Sequence, residues 1–284
     1  MKIQTPDDFS FAETTSAHGW RGLAPFAWND EESSLEYIHQ YPSGRTSSIR
    51  ISEINGEVIV DSNADPEETM AVVRRMLQLD LPMGDFHKYC SGHEKFAHVP
   101  RLKQGRMLVS PTVFEDVVKV ICTTNTTWAQ TKSMVARIAD AYGAPDPLEP
   151  SRKAFPTPEQ ILSDNLEEFS SKAKLGYRNA SVYKIASDIA AGILDLEELR
   201  SPEITTADLN KRLLTLPGVG PYAASCLMIY LGRYERVNVD SWARTLVGKE
   251  LGRSVTDKEV HAFFEDFGEW RALVYHFYPW REDA

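Results

Sequence analysis

The chain has 284 residues, of which 42% are hydrophobic and 25% charged, which excludes a disordered or collagen-like polymer and predicts a folded protein with a sizeable core. A net charge of −10 argues against a general nucleic-acid binder that works through bulk positive charge. The first ten residues are polar and no apolar run is long enough to cross a membrane, so no membrane partner and a cytoplasmic location are expected.

In chain order, the signals from Phe9 to about Val60 are for strands. His18-Gly19-Trp20 and Phe26-Ala27-Trp28 are aromatic, strand-like pieces. Ser47 to Ile54 alternates polar and apolar residues, Asn55-Gly56 predicts a tight hairpin turn, and Glu57 to Asp61 reads as the returning strand. Pro66-Glu67-Glu68 opens a helix that continues through Val72, Val73, Met76 and Leu77. After Pro100 the pattern becomes helical. One helix over Pro111 to Cys122 sets Phe114, Val117, Val118 and Ile121 on one face, and a second follows over Thr127 to Tyr142. A proline-rich connector from Ala144 to Pro158 leads to helices around Ile161, Phe169 and Ile185, and the last helices are expected over Val260–Phe267 and Trp270–Tyr278. The expected class is therefore α+β, with an antiparallel α+β domain over 1–100 and a helical domain over 101–284.

Charge follows the same division. Residues 1–100 hold 8 basic and 16 acidic side chains, whereas residues 101–284 hold 23 and 25. The helical part is thus nearly neutral and can present a local basic face, with few ionic contacts and a shallow salt dependence. Cys90, Cys122 and Cys226 lie far apart with no CxxC spacing, which points to a reducing compartment and neither a disulfide framework nor a zinc site. His18, His87, His93 and His98 show no metal-ligand spacing and read as surface or structural residues.

The most informative stretch runs from Leu213 to Arg244. Leu209, Leu213 and Leu216 fall at helical spacing after the cap Thr205, and Pro217-Gly218-Val219-Gly220 makes a glycine turn. Pro221 suits the first position of a second helix, which carries Ala224, Leu227, Met228 and Leu231 and ends at Gly232. Backbone amides of Gly218 and Gly220 then stand at a helix N-terminus with no Cβ in the way, an arrangement that suits a phosphate oxygen. Read alone, the turn is equally an ordinary connection between two helices. Asp240 lies twenty residues beyond Gly220, where it is also a cap for the helix starting at Ser241-Trp242-Ala243-Arg244, and Arg244 is placed to pair with it or to face phosphate.

Taken together, the hairpin, Tyr222, the intervening helix and Asp240 resemble the helix-hairpin-helix DNA glycosylase superfamily, in particular 3-methyladenine DNA glycosylase II and 8-oxoguanine DNA glycosylase. The resemblance covers roughly Pro111 to Trp280 by motifs. It implies a two-lobed helical glycosylase domain behind the N-terminal sheet, acting as a monomeric repair enzyme on double-stranded DNA that contains a damaged base, on the nucleoid if bacterial. Asp240 is the implied catalytic carboxylate, and Gly218, Val219 and Gly220 the implied phosphate contacts. The carbonyls of Leu214, Leu216 and Val219 are implied ligands of a Na⁺ or K⁺ ion. No other cofactor is expected, and three scattered cysteines are too few for the iron–sulfur loop of many relatives.

Further elements are similar to parts of the family. Cys122-Thr123-Thr124-Asn125 resembles the loop that fills the gap left by an extruded base, which gives that role to Asn125; the same residues also read as a capped loop between helices. The family's arginine five positions later is Gln130 here. Leu175-Gly176-Tyr177-Arg178 resembles a wedge, with Tyr177 levering a base step and Arg178 offering a forked donor pair, or else a capping glycine with a packed aromatic. The adenine-removing relatives' glutamate is matched by Val120.

Tyr222 stands where bifunctional members carry a lysine that attacks the sugar. It implies a monofunctional enzyme that hydrolyses the N-glycosidic bond of an alkylated or oxidised purine without lyase activity. Tyr222, Trp242 and Trp270 are the implied base pocket. The aromatic C-terminal run around Trp270, Tyr275, Phe277, Tyr278 and Trp280 reads either as core or as a cation-attracting wall. The alternatives are a noncatalytic hairpin DNA-binding protein, a mismatch-thymine glycosylase and a protein-interaction scaffold.

Overall fold

The computed structural model describes residues 1–280. Five antiparallel strands, β1 (Lys2–Ile3), β2 (Phe26–Asn29), β3 (Ser34–Gln40), β4 (Thr46–Ile54) and β5 (Glu57–Ser62), form one sheet in the order β1-β5-β4-β3-β2. The β4–β5 register is set by its turn. Ile54 pairs with Glu57, and Asn55 and Gly56 between them hold φ of 52° and 78°, the left-handed pair that matches strand twist. Alternation along β4 buries Ile49 and Ile51 and leaves Arg50 exposed. The helix Pro66–Met76 starts as expected, with the Asp65 carboxylate accepting from the amides of Glu67 and Glu68.

Fourteen α-helices are present among the described residues, so the α+β class stands. Several details differ from the sequence reading. His18-Gly19-Trp20 is not a strand: Gly19–Gly22 is a 3-10 turn, and Phe11–Ser16 before it is a short helix capped by Ser10. Aromatic content there reported burial and not strand geometry; Trp20 is buried and its indole donates to Asp116 at 2.9 Å. Helices Gly84–Ser91 and His98–Leu102 occupy a segment to which the sequence pattern assigns no element. Near the C-terminus, helices Asp257–Phe263 and Arg271–His276 are separated by the 3-10 segment Glu265–Trp270.

Two compact units divide the chain. One joins Met1–Asp80 to Arg106–Glu198, and the other joins Leu81–Gly105 to the chain from Leu199 onward. The expected division at residue 100 followed composition, whereas the units follow packing between distant segments, which local composition does not report.

In the first unit, helix Val113–Thr123 is buried on every side. Sequence periodicity placed only its apolar face inside. The polar face is buried as well because its charges find partners: Lys119 Nζ lies 2.6 Å from Glu115 Oε1, the Tyr37 hydroxyl donates to Glu115 Oε2 at 2.6 Å, and Asp116 accepts from the Ser110 amide at 2.9 Å. Burial first, and then the Glu115 carboxylate, push the Tyr37 hydroxyl well above the usual phenol range. In the second unit, helix Pro221–Tyr230 is buried from Ala223 to Tyr230 without a charged side chain. The four histidines act structurally, as expected: the rings of His18, His87, His93 and His98 bond the carbonyls of Leu108, Gln104, Tyr89 and Phe277.

Candidate nucleic-acid interface and carboxylate site

The hairpin is built by local bonds. Thr205 caps helix Thr206–Thr215 by accepting from the Asp208 amide at 3.1 Å. The helix closes with the Leu216 amide on the Leu213 carbonyl, and the Val219 amide on the Leu216 carbonyl, both 3.1 Å, folds the chain back. Leu216 and Val219 point inward and anchor the turn, while Gly218 and Gly220 are exposed. Gly218 has φ of 79°, a conformation that a Cβ would strain. Among the described residues neither the Gly218 nor the Gly220 amide has an acceptor. Pro221 then starts helix Pro221–Tyr230, with Gly220 as a cap that has no side chain. Two open donors at the positive end of a ten-residue helix suit an anion.

The carbonyls suit a monovalent cation. Those of Leu214 and Val219 accept no hydrogen bond among the described residues, and that of Leu216 accepts only the Val219 amide. Each therefore keeps lone pairs for a weakly demanding ion.

Asp240 caps helix Ser241–Leu251, its Oδ1 accepting from the Ala243 amide at 2.8 Å. Among the described residues its second oxygen has no hydrogen-bond partner, and Asp240 is half-buried. The cap fixes the carboxylate while one oxygen stays available. Arg244 does not pair with it; its guanidinium lies 2.6 Å from Asp257.

A cluster that sequence reasoning missed lies beside Asp240. Burial pushes the Cys226 thiol up to about 12, with the Asp240 carboxylate adding to the effect, while hydrogen bonds from Tyr222 and Asn238 act the other way. Burial and then Asp240 likewise raise Tyr275. Tyr222, Cys226, Asn238, Asp240 and Tyr275 thus share one electrostatic neighbourhood. The i, i+4 spacing of Tyr222 and Cys226 was the available signal.

The other two pocket candidates are placed differently from one another. Trp270 packs inside its own unit, stacked on Tyr234 with centroids 6.0 Å apart and tilted against Phe86 at 5.4 Å. Trp242 is 60% exposed on the first turn after Asp240.

The first unit holds the second cluster. Asn125 sits exposed with φ of 46° just before the cap Thr127 of helix Trp128–Tyr142. Tyr177 is 65% exposed. Its hydroxyl accepts from Asn125 Nδ2 at 3.4 Å and lies 3.2 Å from Thr124 Oγ1, and the Thr124 bond is the main cause of its lowered pKa. The structure therefore brings Asn125 and Tyr177 together. Arg178 departs from expectation: it is buried, with Nε donating to the Ile121 carbonyl at 3.1 Å, Nη1 to the Leu175 carbonyl at 3.2 Å and Nη2 to the Thr124 carbonyl. Carbonyls left over at the end of helix Val113–Thr123 draw it inward. No fork is presented to solvent.

No protein-family model matches the chain. An N-glycosylase/DNA lyase OGG1 from Arabidopsis thaliana is 26% identical over 229 residues, 74% of this chain and 61% of that protein, so the chain spans about three-fifths of that relative's length. The 3-methyladenine DNA glycosylase of Archaeoglobus fulgidus superposes with a TM-score of 0.78 at 19% identity, covering 98% of this chain and 97% of the other. The 8-oxoguanine glycosylase/lyase of Clostridium acetobutylicum gives 0.77 at 18% identity, covering 98% and 96%. Over nearly its whole length the chain has the fold of these two DNA glycosylase structures.

Proposed function

We propose that this chain is a monofunctional DNA glycosylase that acts on a damaged purine in double-stranded DNA as a monomer. The observation that carries the reading is the pairing, within one unit, of a hairpin with two open amides and a capped Asp240 with one free oxygen. A stacked base hides its glycosidic bond, so the nucleotide must be extruded, at a cost of a few kcal/mol that is lowest for a damaged pair.

The Gly218 and Gly220 amides hold a backbone phosphate, with Val219 anchoring the turn. A Na⁺ or K⁺ on the Leu214, Leu216 and Val219 carbonyls would add positive charge beneath that phosphate. The free oxygen of Asp240 faces the positive charge that develops on the deoxyribose as the base leaves, and it orients the incoming water. Tyr222, Trp242 and Trp270 supply the ring surfaces for the base, which suits a cationic alkylated purine; the Asn125–Tyr177 pair resembles the oxidised-purine enzymes instead.

Both an OGG1-type relative and the Clostridium acetobutylicum structure carry lyase in their names. In this chain Tyr222 takes the place of the amine, four residues before Cys226 on helix Pro221–Tyr230. A tyrosine forms no imine. The test is incubation of the purified protein with duplexes carrying 3-methyladenine, 7-methylguanine, 1,N6-ethenoadenine or 8-oxoguanine. Release of at least one base, with strand breaks only after hot alkali, is expected. Tight binding without release from any of them would make the protein a noncatalytic DNA binder.

A further inference from the structure

In the first unit, the end of β3, the start of helix Val113–Thr123, the close of the proline-rich connector and the chain around Ile189 and Leu196 line a cavity of about 200 Å³. Most of its wall is apolar, from Pro111, Phe114, Phe155, Pro156, Ile189 and Leu196. The rings of Phe114 and Phe155 stand edge to face with centroids 6.3 Å apart, and both are buried. Such walls favour a flat ring, met face-on or edge-on. A cavity of about 150 Å³ takes benzene, so this one has room for one ring or two fused rings. Drug-sized ligands need upwards of about 300 Å³.

The polar residues of the wall are engaged by protein partners, with two exceptions. Thr112 and Thr157 cap helices by accepting from the amides of Glu115 and Gln160 at 3.2 and 3.3 Å. Asp195 and Glu197 accept from the amides of Glu197 and Val113 at 2.9 and 2.6 Å, and Glu115 holds Tyr37 and Lys119. The exceptions are the last two residues of β3. Gln40 Oε1 is buried with no hydrogen-bond partner among the described residues, an acceptor that costs stability until a donor reaches it. His39 makes ring contacts only, edge-on to Tyr41 at 4.6 Å and tilted against Tyr37 at 6.1 Å. Burial lowers its pKa to about 4, so the imidazole is neutral at pH 7 and brings no charge that would call for an anion. Water fits poorly, since a buried water takes about three polar partners and the wall offers it Gln40 and His39.

We propose that this cavity is a second ligand site, for a free planar heteroaromatic of one or two rings that carries a ring N–H. Phe114 and Phe155 give the ring its apolar contacts, its N–H donates to Gln40 Oε1, and the neutral His39 ring completes the wall. A released purine and an indole-like metabolite share this chemistry, and competition separates them. The site uses none of the residues given to DNA or to the Asp240 chemistry, so it stands or falls independently of the glycosylase reading.

The test is equilibrium dialysis of the full chain, without DNA, against indole and against benzofuran, which has the same shape and no N–H. A dissociation constant below about 1 mM is expected for indole, with benzofuran weaker by about tenfold or more, the scale of one buried hydrogen bond. Gln40→Met keeps the bulk of the side chain and removes the acceptor. It should bring indole down to the benzofuran level and leave benzofuran unchanged, a pattern that loss of structure does not give. Ile189→Trp fills the cavity from a half-exposed position and should abolish both; it carries the test if Gln40→Met lowers the melting temperature. Displacement of indole by adenine assigns the site to released bases, whereas indole retained against adenine assigns it to indole-like metabolites. Binding of neither indole nor adenine, equal binding of indole and benzofuran, or indole binding unchanged in both variants overturns the proposal.

Discussion

Two sites, one in each compact unit, treat polar groups in opposite ways. Around helix Val113–Thr123, in the unit that holds the sheet, these buried groups are paired: Lys119 with Glu115, Tyr37 with Glu115, Trp20 with Asp116, and Arg178 with three carbonyls. In the unit that holds the hairpin, selected groups are left open among the described residues: the Gly218 and Gly220 amides, the Leu214 and Val219 carbonyls, and one oxygen of Asp240. Leaving a donor or acceptor without a partner is costly unless something else satisfies it. Paired groups therefore mark what holds the protein together, and open ones mark where a phosphate, a cation or a sugar is expected.

The largest effect should come from breaking a pair. Lys119→Met removes the cation and leaves Glu115 buried without its counter-charge, so stability should fall by about 3–5 kcal/mol. Chemical denaturation of variant and parent checks this, and a change below about 1 kcal/mol would mean that Glu115 is satisfied without Lys119. Removing an open group should do the reverse. Asp240→Asn keeps an oxygen for the Ala243 amide, and asparagine caps as well as aspartate. Melting temperature and lesion-DNA binding should be retained, while single-turnover base release falls on the order of 10²- to 10³-fold. An active Asp240→Asn enzyme would remove the aspartate from the mechanism.

Much of this division could be read from the chain before the structure. The hairpin was legible because proline and glycine leave few conformations for a turn between two apolar helical faces, and Asn55-Gly56 fixed the β4–β5 register for the same reason. Asp240 was legible as a cap because helix starts have a local grammar. The reversal of Arg178 was not, since nothing local says whether an arginine turns toward solvent or toward the free carbonyls of a distant helix end. Helix Val113–Thr123 misled for a related reason: periodicity assigns charged residues to a wet face, and only tertiary partners allow Glu115, Asp116 and Lys119 inside. The neighbourhood of Cys226, Asn238 and Tyr275 around Asp240 likewise depends on packing.

Smaller effects sharpen the comparison at the open amides and the paired wedge. A Cβ at Gly220 would meet nothing within 4 Å, so Gly220→Ala should fold with unchanged melting temperature. Its affinity should drop about tenfold for damaged and undamaged duplexes alike, the scale of one charge-assisted hydrogen bond, since phosphate contacts carry no lesion information. A loss seen only with damaged DNA would place Gly220 in the base site instead. Asn125→Ala and Tyr177→Ala alter exposed side chains and should leave stability within about 0.5 kcal/mol. Each should reduce the fluorescence rise of a 2-aminopurine placed beside the lesion, which reports extrusion, while encounter with undamaged DNA is unaffected. An unchanged signal in both would make these residues loop and packing elements only.

The central claim is hydrolysis without a protein amine, and trapping tests it most directly. Lesion duplex and purified protein are mixed with sodium borohydride, which reduces an imine between protein and sugar to a stable link. With Tyr222 at the position that the resemblance gives to the amine, the base should be released, the abasic strand should stay whole until hot alkali, and no covalent complex should form. A borohydride-stable adduct with lesion DNA would contradict the account and assign the nucleophile to another amine of the chain.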